Sequence, residues 1–379
     1  MKTRRGRALG APEEGLTAAK QKKLLQLAQL YIAEQELDVD WRIDLVAVEL
    51  DKTGKLLRCR TYYQCGVWVV MSAAKQRPLL VIVGATAVGK TALSLQAATQ
   101  FKGEIISADS RLFYRGMDIG TAKPTAAERA AVPHHLIDIC APHDTLTLGE
   151  YQQLAYDRIE AVQANGRLPI LVGGTGQYVK AVVEGWGIPK VPPQPALREA
   201  LSSLGGPECA RWLRHLDPEA ADAIDPRNVR RLIRALEVTL VSGVPISQLQ
   251  RKKPPPYRIA IIGLHRRRSQ LYERIDQRVD EMMAAGLLAE VEALQQAGYD
   301  RALPSMSGLG YRQLNAYLDG EITLAEAIER IKFETHRFAR QQNSWFRQDD
   351  PQITWFEAGE AGWETAVMNH IQAWLKKED

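Results

Sequence analysis

The stretch Pro78–Thr91, PLLVIVGATAVGKT, decides how this chain folds. Its first half is a short apolar run of strand length, and its second half has the full spacing GxxxxGK[ST]. Gly84 and Gly89 let the backbone curl until its N–H groups converge on phosphate oxygens. The helix opening at Thr91 adds the positive end of its dipole, Lys90 neutralises charge, and the Thr91 hydroxyl is suited to hold Mg²⁺. Gly84, Ala85, Thr86, Ala87, Val88, Gly89, Lys90 and Thr91 are therefore the expected cradle for a diphosphate or polyphosphate.

Outward from that loop, strand and helix patterns alternate. TALSLQAATQF (91–101) reads as a helix, GEIISAD (103–109) as a strand, and RLPILVGGTG (167–176) as another strand ending in glycines. Strands separated by helices imply right-handed βαβ units and a parallel sheet covered on both faces. The fold class is α/β, a P-loop NTPase-like parallel sheet. PKVPPQPALRE (189–199) and KKPPPYR (252–258) are proline-rich joints around a helical stretch, after which a strand, IAIIGLH (259–265), resumes. This predicts a catalytic core over 76–189 and 256–357, a helical domain inserted over 190–255, and a helix or tail over 358–379. The region after Leu264 reads as mostly helical.

Ahead of the core, residues 1–75 read as a small α+β extension. AAKQKKLLQLAQLYIAEQ (18–35) has helical periodicity, and DWRIDLVAVEL and LLRCRTYYQCGVWVV read as two strands joined near Asp51–Gly54. Everything discussed below would survive in a chain begun at Met71, so residues 1–70 are expected to be dispensable for activity.

The chain has 379 residues, 45% hydrophobic and 25% charged, which excludes disordered, collagenous and coiled-coil classes. No run approaches a membrane span, and the basic N-terminus lacks an apolar signal core, so a cytoplasmic protein is expected. Four cysteines without a CxxC pair make neither a disulfide framework nor a zinc site. A net charge of +4 is mild, so the placement of the positive charge matters more than its sum.

Ligands of an open parallel sheet bind outside the carboxyl ends of the strands. Asp109 and Thr175 both fall there and should face the P-loop crevice. A carboxylate at that position can take a proton from a nucleophile, bind metal, or merely cap the next turn. In DPRNVRRLIRALEVTL (225–240), Arg227, Arg230, Arg231 and Arg234 recur at i, i+3, i+4 and i+7, opposite Val229, Leu232, Ile233, Leu236 and Leu240. Asp225 and Pro226 supply an expected helix start. Four arginines in one stripe repel each other unless something anionic, such as RNA phosphate, lies against them. Arg266, Arg267, Arg268, Arg274, Arg278, Arg337, Arg340 and Arg347 extend the basic character. Trp345 reads as core.

The blocks GATAVGKT, ISADSRLFYRGMDIGTAKP, PHHLIDI, LPILVGGTGQYV, NVRRLIRALEV, RIDQRVDEM, LPSMSGLGYRQL and RQQNSWFR span about three quarters of the chain. In them the chain closely resembles the tRNA dimethylallyltransferase (tRNA isopentenyltransferase) family, bacterial type. The resemblance implies transfer of a dimethylallyl group from dimethylallyl diphosphate to the exocyclic amine of the adenosine 3′ of the anticodon. It implies Asp109 as general base, Thr175 beside the reacting centre, and Lys90, Thr91 and Arg278 on the diphosphate, assisted by Mg²⁺. It further implies that the tRNA anticodon stem-loop is gripped by the inserted domain and that the target base is flipped into a channel. The implied RNA contacts are Asp109, Ser110, Arg111, Leu112, Arg198, Arg230, Arg231, Arg234, Ser307, Gly308, Leu309, Gly310, Tyr311, Arg312, Arg340, Gln341 and Arg347. The family generally works as a monomer.

Gln177, Ser307 and Gly308 depart from residues often found in that family, which weakens transfer of nucleotide-level contacts. Residues 1–75 faintly resemble the C-terminal half of the YraN-like family, without the acidic and lysine residues of its nuclease-like site. A P-loop small-molecule or nucleoside kinase would also use the loop and Asp109, but leaves the arginine stripe without a role. An adenine-nucleotide isopentenyltransferase would need neither the insertion nor the basic face. A non-enzymatic RNA-binding module would not need an intact P-loop.

Overall fold

The computed structural model describes residues 44–50, 56–63 and 77–376. The chain divides into two compact units, Met1–Ala74 and Lys75–Asp379. In the first, β1 (Asp44–Leu50) and β2 (Leu56–Tyr63) form the expected antiparallel hairpin. The expected helix over 18–35 and the alternative start at Met71 lie outside the described residues.

The second unit is built on a six-stranded, all-parallel sheet. Its strands are β3 (Arg77–Gly84), β4 (Gly103–Ser107), β5 (His134–His135), β6 (Leu168–Gly173), β7 (Tyr257–His265) and β8 (Ile353–Glu357). Their order across the sheet is β5-β4-β6-β3-β7-β8, so β3 is flanked by partners from far along the chain. Successive side chains of β3 enter opposite cores. Leu80 and Ile82 pack with Leu93 and Ala97 on one face, and Leu79, Val81 and Val83 with Tyr151 and Ile159 on the other. Burial on both faces explains why this strand reads as continuously apolar. The edge strand β8 was not anticipated from sequence, where the region after Leu264 reads as helical. It is a five-residue run, ITWFE, that pairs with β7.

The helices are α1 (Lys90–Phe101), α2 (Ala126–Ala131), α3 (Leu148–Ala164), α4 (Gly176–Val183), α5 (Pro195–Leu216), α6 (Pro218–Ala223), α7 (Val229–Ser242), α8 (Ile246–Leu249), α9 (Arg268–Ala284), α10 (Leu287–Gln296), α11 (Tyr311–Leu318), α12 (Leu324–Gln342) and α13 (Trp363–Lys376). Capping boxes start α3 at Thr147 and Glu150 and α12 at Thr323 and Glu326. Helices α5–α8 lie in sequence between β6 and β7 and enclose their own core around Leu201, Leu213, Leu232 and Leu236. Helices α9–α12 close over Met117 and Tyr311 in a further cluster. The segment after 358, read from sequence as a helix or tail, is part of the main core through Val367, Met368 and Ile371 of α13.

The arginine helix differs from its expected form. Asp225 and Pro226 make a turn in which Asp225 Oδ1 accepts from Arg227 N, and the N-cap of α7 is Asn228, whose side chain accepts from Arg231 N. Arg227 therefore precedes the helix and pairs with Asp225. Leu240, expected on the buried face, is exposed. Among the described residues no helix is long and apolar enough to cross a membrane.

Candidate active site

The P-loop leaves β3 at Gly84, whose φ of 146° is open to glycine, and enters α1 through Gly89 at φ 121°. A Cβ on Gly84 would lie 2.5 Å from the Leu264 carbonyl, so the loop is pressed against β7 by glycine alone. Lys90 folds back under the loop, where its ammonium donates to the carbonyls of Gly84 at 3.0 Å and Ala85 at 2.8 Å. Burial lowers its pKa to about 8, with the Asp109 carboxylate opposing that shift and Arg278 reinforcing it. Arg278, on α9, is likewise depressed by burial, against the field of Asp109. Two cations and one carboxylate thus share one partly dehydrated region.

A crevice of about 560 Å³ opens beside this loop, a volume ordinary for a small-molecule site. Its lining brings together Thr86 and Ala87 from the P-loop, Asp109–Arg111, Thr175, Arg278, the segment Ser307–Arg312, and Gln341. Asp109 plays two of its expected parts at once. Its carboxylate accepts from Arg111 N at 3.0 Å, the turn-capping reading, and it also faces the crevice. Thr175 is the N-cap residue of α4, and its side chain makes no capping bond, which leaves the hydroxyl for a ligand. Gln342, 5% exposed at the end of α12, spans the two halves of the site. Its Oε1 accepts from Thr86 N at 2.8 Å, and its Nε2 donates to Gly174 O at 3.0 Å. Arg274 supports the loop from outside by donating to Ala87 O.

The opposite wall is held by Glu290 of α10. Its carboxylate accepts from the backbone N–H groups of Asp118 (2.8 Å), Ile119 (2.7 Å) and Gly120 (3.1 Å), and from the Tyr311 hydroxyl (2.6 Å). Gly120 is small by necessity, because a Cβ there would meet the Tyr311 ring at 2.6 Å. Burial, and then Glu290 beside it, push the Tyr311 phenol far above its usual pKa.

Residues 112–349 match the IPP transferase family. The chain is 52% identical over 302 residues to a tRNA dimethylallyltransferase of Roseiflexus sp. (strain RS-1), covering 79% of this chain and 99% of that one. It is 56% identical over 275 residues to its counterpart in Roseiflexus castenholzii (strain DSM 13941 / HLO8), covering 72% and 90%. The chain belongs to this transferase family. Among solved structures it resembles the full-length tRNA isopentenylpyrophosphate transferase from Bacillus halodurans (TM-score 0.61, 40% identity, covering 80% of this chain and 98% of that one). It also resembles a eukaryotic dimethylallyltransferase acting on tRNA (TM-score 0.70, 25% identity, 78% of each chain). Residues 1–48 match a separate family, the Uncharacterised protein family UPF0102.

Within the transferase, several residues expected on an RNA face are engaged by the protein itself. Arg111 donates to Pro304 O, Ser305 O and Ser307 Oγ, so it fastens the Asp109 turn to the 304–307 turn. Leu112 does not line the crevice. The Tyr311 hydroxyl is held by Glu290, and Arg312 pairs with Glu334. The unpaired stripe expected on α7 is corrected most. Glu237, 0% exposed, receives Arg198 at 2.8 Å and Arg234 at 2.6 Å, while Arg234 also donates to Val191 O. These arginines, with Gln194 N, hold the Glu237 carboxyl at about 2 against burial. Arg230 and Arg231 remain exposed. Arg340 donates to the Tyr272 hydroxyl, and Arg347 pairs with Asp349 beside a second cavity that also contains Arg266 and Trp355. Trp345, expected in the core, is 36% exposed and lines the crevice against Gly176. Sequence reasoning missed Glu290, Gln342 and Glu237. Each acts through partners 21 to 256 positions away, or through a single i+3 acid within a basic stripe that reads as surface.

Proposed function

We propose that the crevice moves a dimethylallyl group from dimethylallyl diphosphate to the exocyclic amine of the adenosine 3′ of the anticodon. The observation that carries this reading is the shared crevice, in which Asp109 and Thr175 face the same space as the P-loop and Arg278. Lys90 and Arg278, both cationic, suit a diphosphate whose charge grows as it leaves. In the step itself, the amine nitrogen forms a bond to the first carbon of the prenyl group as that carbon's bond to oxygen breaks. The electron pair departs with the diphosphate, and the amine proton passes to the Asp109 carboxylate. Thr175, at the end of β6, would orient the amine.

A magnesium ion fits the donor set, because Thr91 offers a hard hydroxyl oxygen at the loop's end. The described residues contain no cluster of three acidic, histidine or cysteine ligands. When bound, the ion would neutralise charge on the leaving group. Arg230 and Arg231 of α7, with residues 307–312, would face the RNA, and the cytoplasmic enzyme would act as a monomer.

Transfer of labelled dimethylallyl from its diphosphate tests this reading on three acceptors: an anticodon stem-loop, the same loop lacking the target adenosine, and free AMP. Label on the first alone is the expected result. Label on AMP would move the chain to a nucleotide-prenylating role, and label on none would remove the proposal.

A further inference from the structure

We propose that the outer flank of α12 is a stacking ledge for an unpaired RNA nucleotide, with Phe333 as its platform. This rests on the RNA reading above and extends it to a residue outside the crevice. Arg330, Phe333, Arg337 and Arg340 recur at i, i+3, i+7 and i+10, which places them in one stripe along the helix. The neighbouring stripe, with Glu334, Phe338 and Gln341, forms a wall of the crevice. Arg337 belongs to both, so the flank is continuous with the site rather than a separate surface.

Phe333 is 64% exposed, more than any other large apolar side chain among the described residues, while Phe338 and Trp345 at the crevice are 39% and 36% exposed. A single exposed apolar residue is ordinary in itself. Its surroundings are not. Arg337 makes no hydrogen bond or ion pair among the described residues. The nearby carboxylates are engaged: Glu334 takes Arg312, Glu329 approaches Lys332 at 3.9 Å, and Glu326 closes the capping box at Thr323. An aromatic ring beside the unpartnered guanidinium of Arg337, with Arg330 and Arg340 in the same stripe, is a poor dock for an apolar protein surface. It suits a base that stacks on the ring while its phosphates meet the arginines. At 1.5 Å rise per residue, Phe333 lies about 6 Å along the axis from Arg337, within reach of a nucleotide adjoining one held in the crevice.

The test compares the full chain with Phe333→Ala, Phe333→Trp and Phe333→Leu, using a labelled anticodon stem-loop for affinity and prenyl transfer for turnover. Phe333→Ala should raise the RNA Kd about tenfold, with kcat at saturating RNA and the KM of the prenyl donor unchanged. Phe333→Trp should restore the affinity and Phe333→Leu should not. Arg337→Gln should reduce the slope of log K against log salt by about 0.7, the value for one single-strand phosphate contact. A Kd for Phe333→Ala within twofold of wild type would overturn the ledge, as would full affinity in Phe333→Leu. Failure of the wild-type chain to bind the stem-loop would instead overturn the RNA reading and this inference with it.

Discussion

The two walls of the crevice are made in different ways. The P-loop wall is local: residues 84–91 supply the loop, its glycines and Lys90, whose ammonium bonds to carbonyls five and six positions back. The opposite wall is assembled at long range, with Glu290 gathering three amides from residues 118–120 and the hydroxyl of Tyr311. One wall is written in consecutive letters. The other exists only once α10 and α11 have packed around Met117. Gln342 ties the P-loop at Thr86 to the end of β6 at Gly174.

If the walls serve different substrates, variants in each should separate the two Michaelis constants. The largest such effect is expected from Lys90→Ala, which removes a cation from the leaving group. It should lower kcat by about 10² to 10³ at saturating substrates while the RNA KM stays within twofold. An equal loss of RNA affinity would erase the distinction.

Glu290→Ala attacks the other wall. It leaves three partly exposed N–H groups and the buried Tyr311 phenol without their acceptor, and a buried group so orphaned costs about 1–3 kcal/mol. With part of that recovered by water, chemical denaturation should show a loss of about 2–3 kcal/mol. The RNA KM should rise more than the donor KM. A variant of wild-type stability with both constants unchanged would show that the Glu290 network does not shape the wall.

Acidity separates the walls more gently. Burial lowers the Lys90 ammonium to about 8 in the free protein, and a bound diphosphate would raise it again. The cationic form is the one that binds, so donor affinity is full below pH 8 and falls up to tenfold per unit above it. In the unfolded chain the Lys90 ammonium titrates at its ordinary 10.5. Its depressed value in the fold therefore costs stability below pH 8, a cost that fades as pH rises from 8 toward 10.5. Profiles of kcat/KM against pH for donor and for RNA should show the fall in the first only.

The same contrast explains what could be read from sequence. The sheet, the P-loop and the placement of Asp109 and Thr175 at strand ends follow from apolar runs and glycine spacing. The arginines of α7 could not be ranked in this way, because periodicity gives a residue's face but not its partner. Glu237 lies on that helix three residues after Arg234, yet only packing against α5 brings Arg198 to it and buries the Glu237 carboxylate. Conversely, Phe333 on α12 reads as one more apolar residue in a helix, and its exposure becomes visible only when the buried face is seen to run through Ala327, Ile331 and Ala339. The place of Trp345 at the crevice is hidden in sequence for a related reason: the absence of a side chain at Gly176 leaves the room it occupies.

Asp109 stands where the two walls meet, and its role as proton acceptor is the centre of this account. The most direct measurement is single-turnover prenyl transfer by Asp109→Asn, at saturating donor and stem-loop, with RNA affinity measured on the same preparation. If Asp109 accepts the proton, the rate should be lower by about 10² to 10⁴ with RNA affinity within a few-fold of wild type. A rate within threefold of wild type would contradict it, and the turn that Asp109 caps at Arg111 would then be its whole contribution.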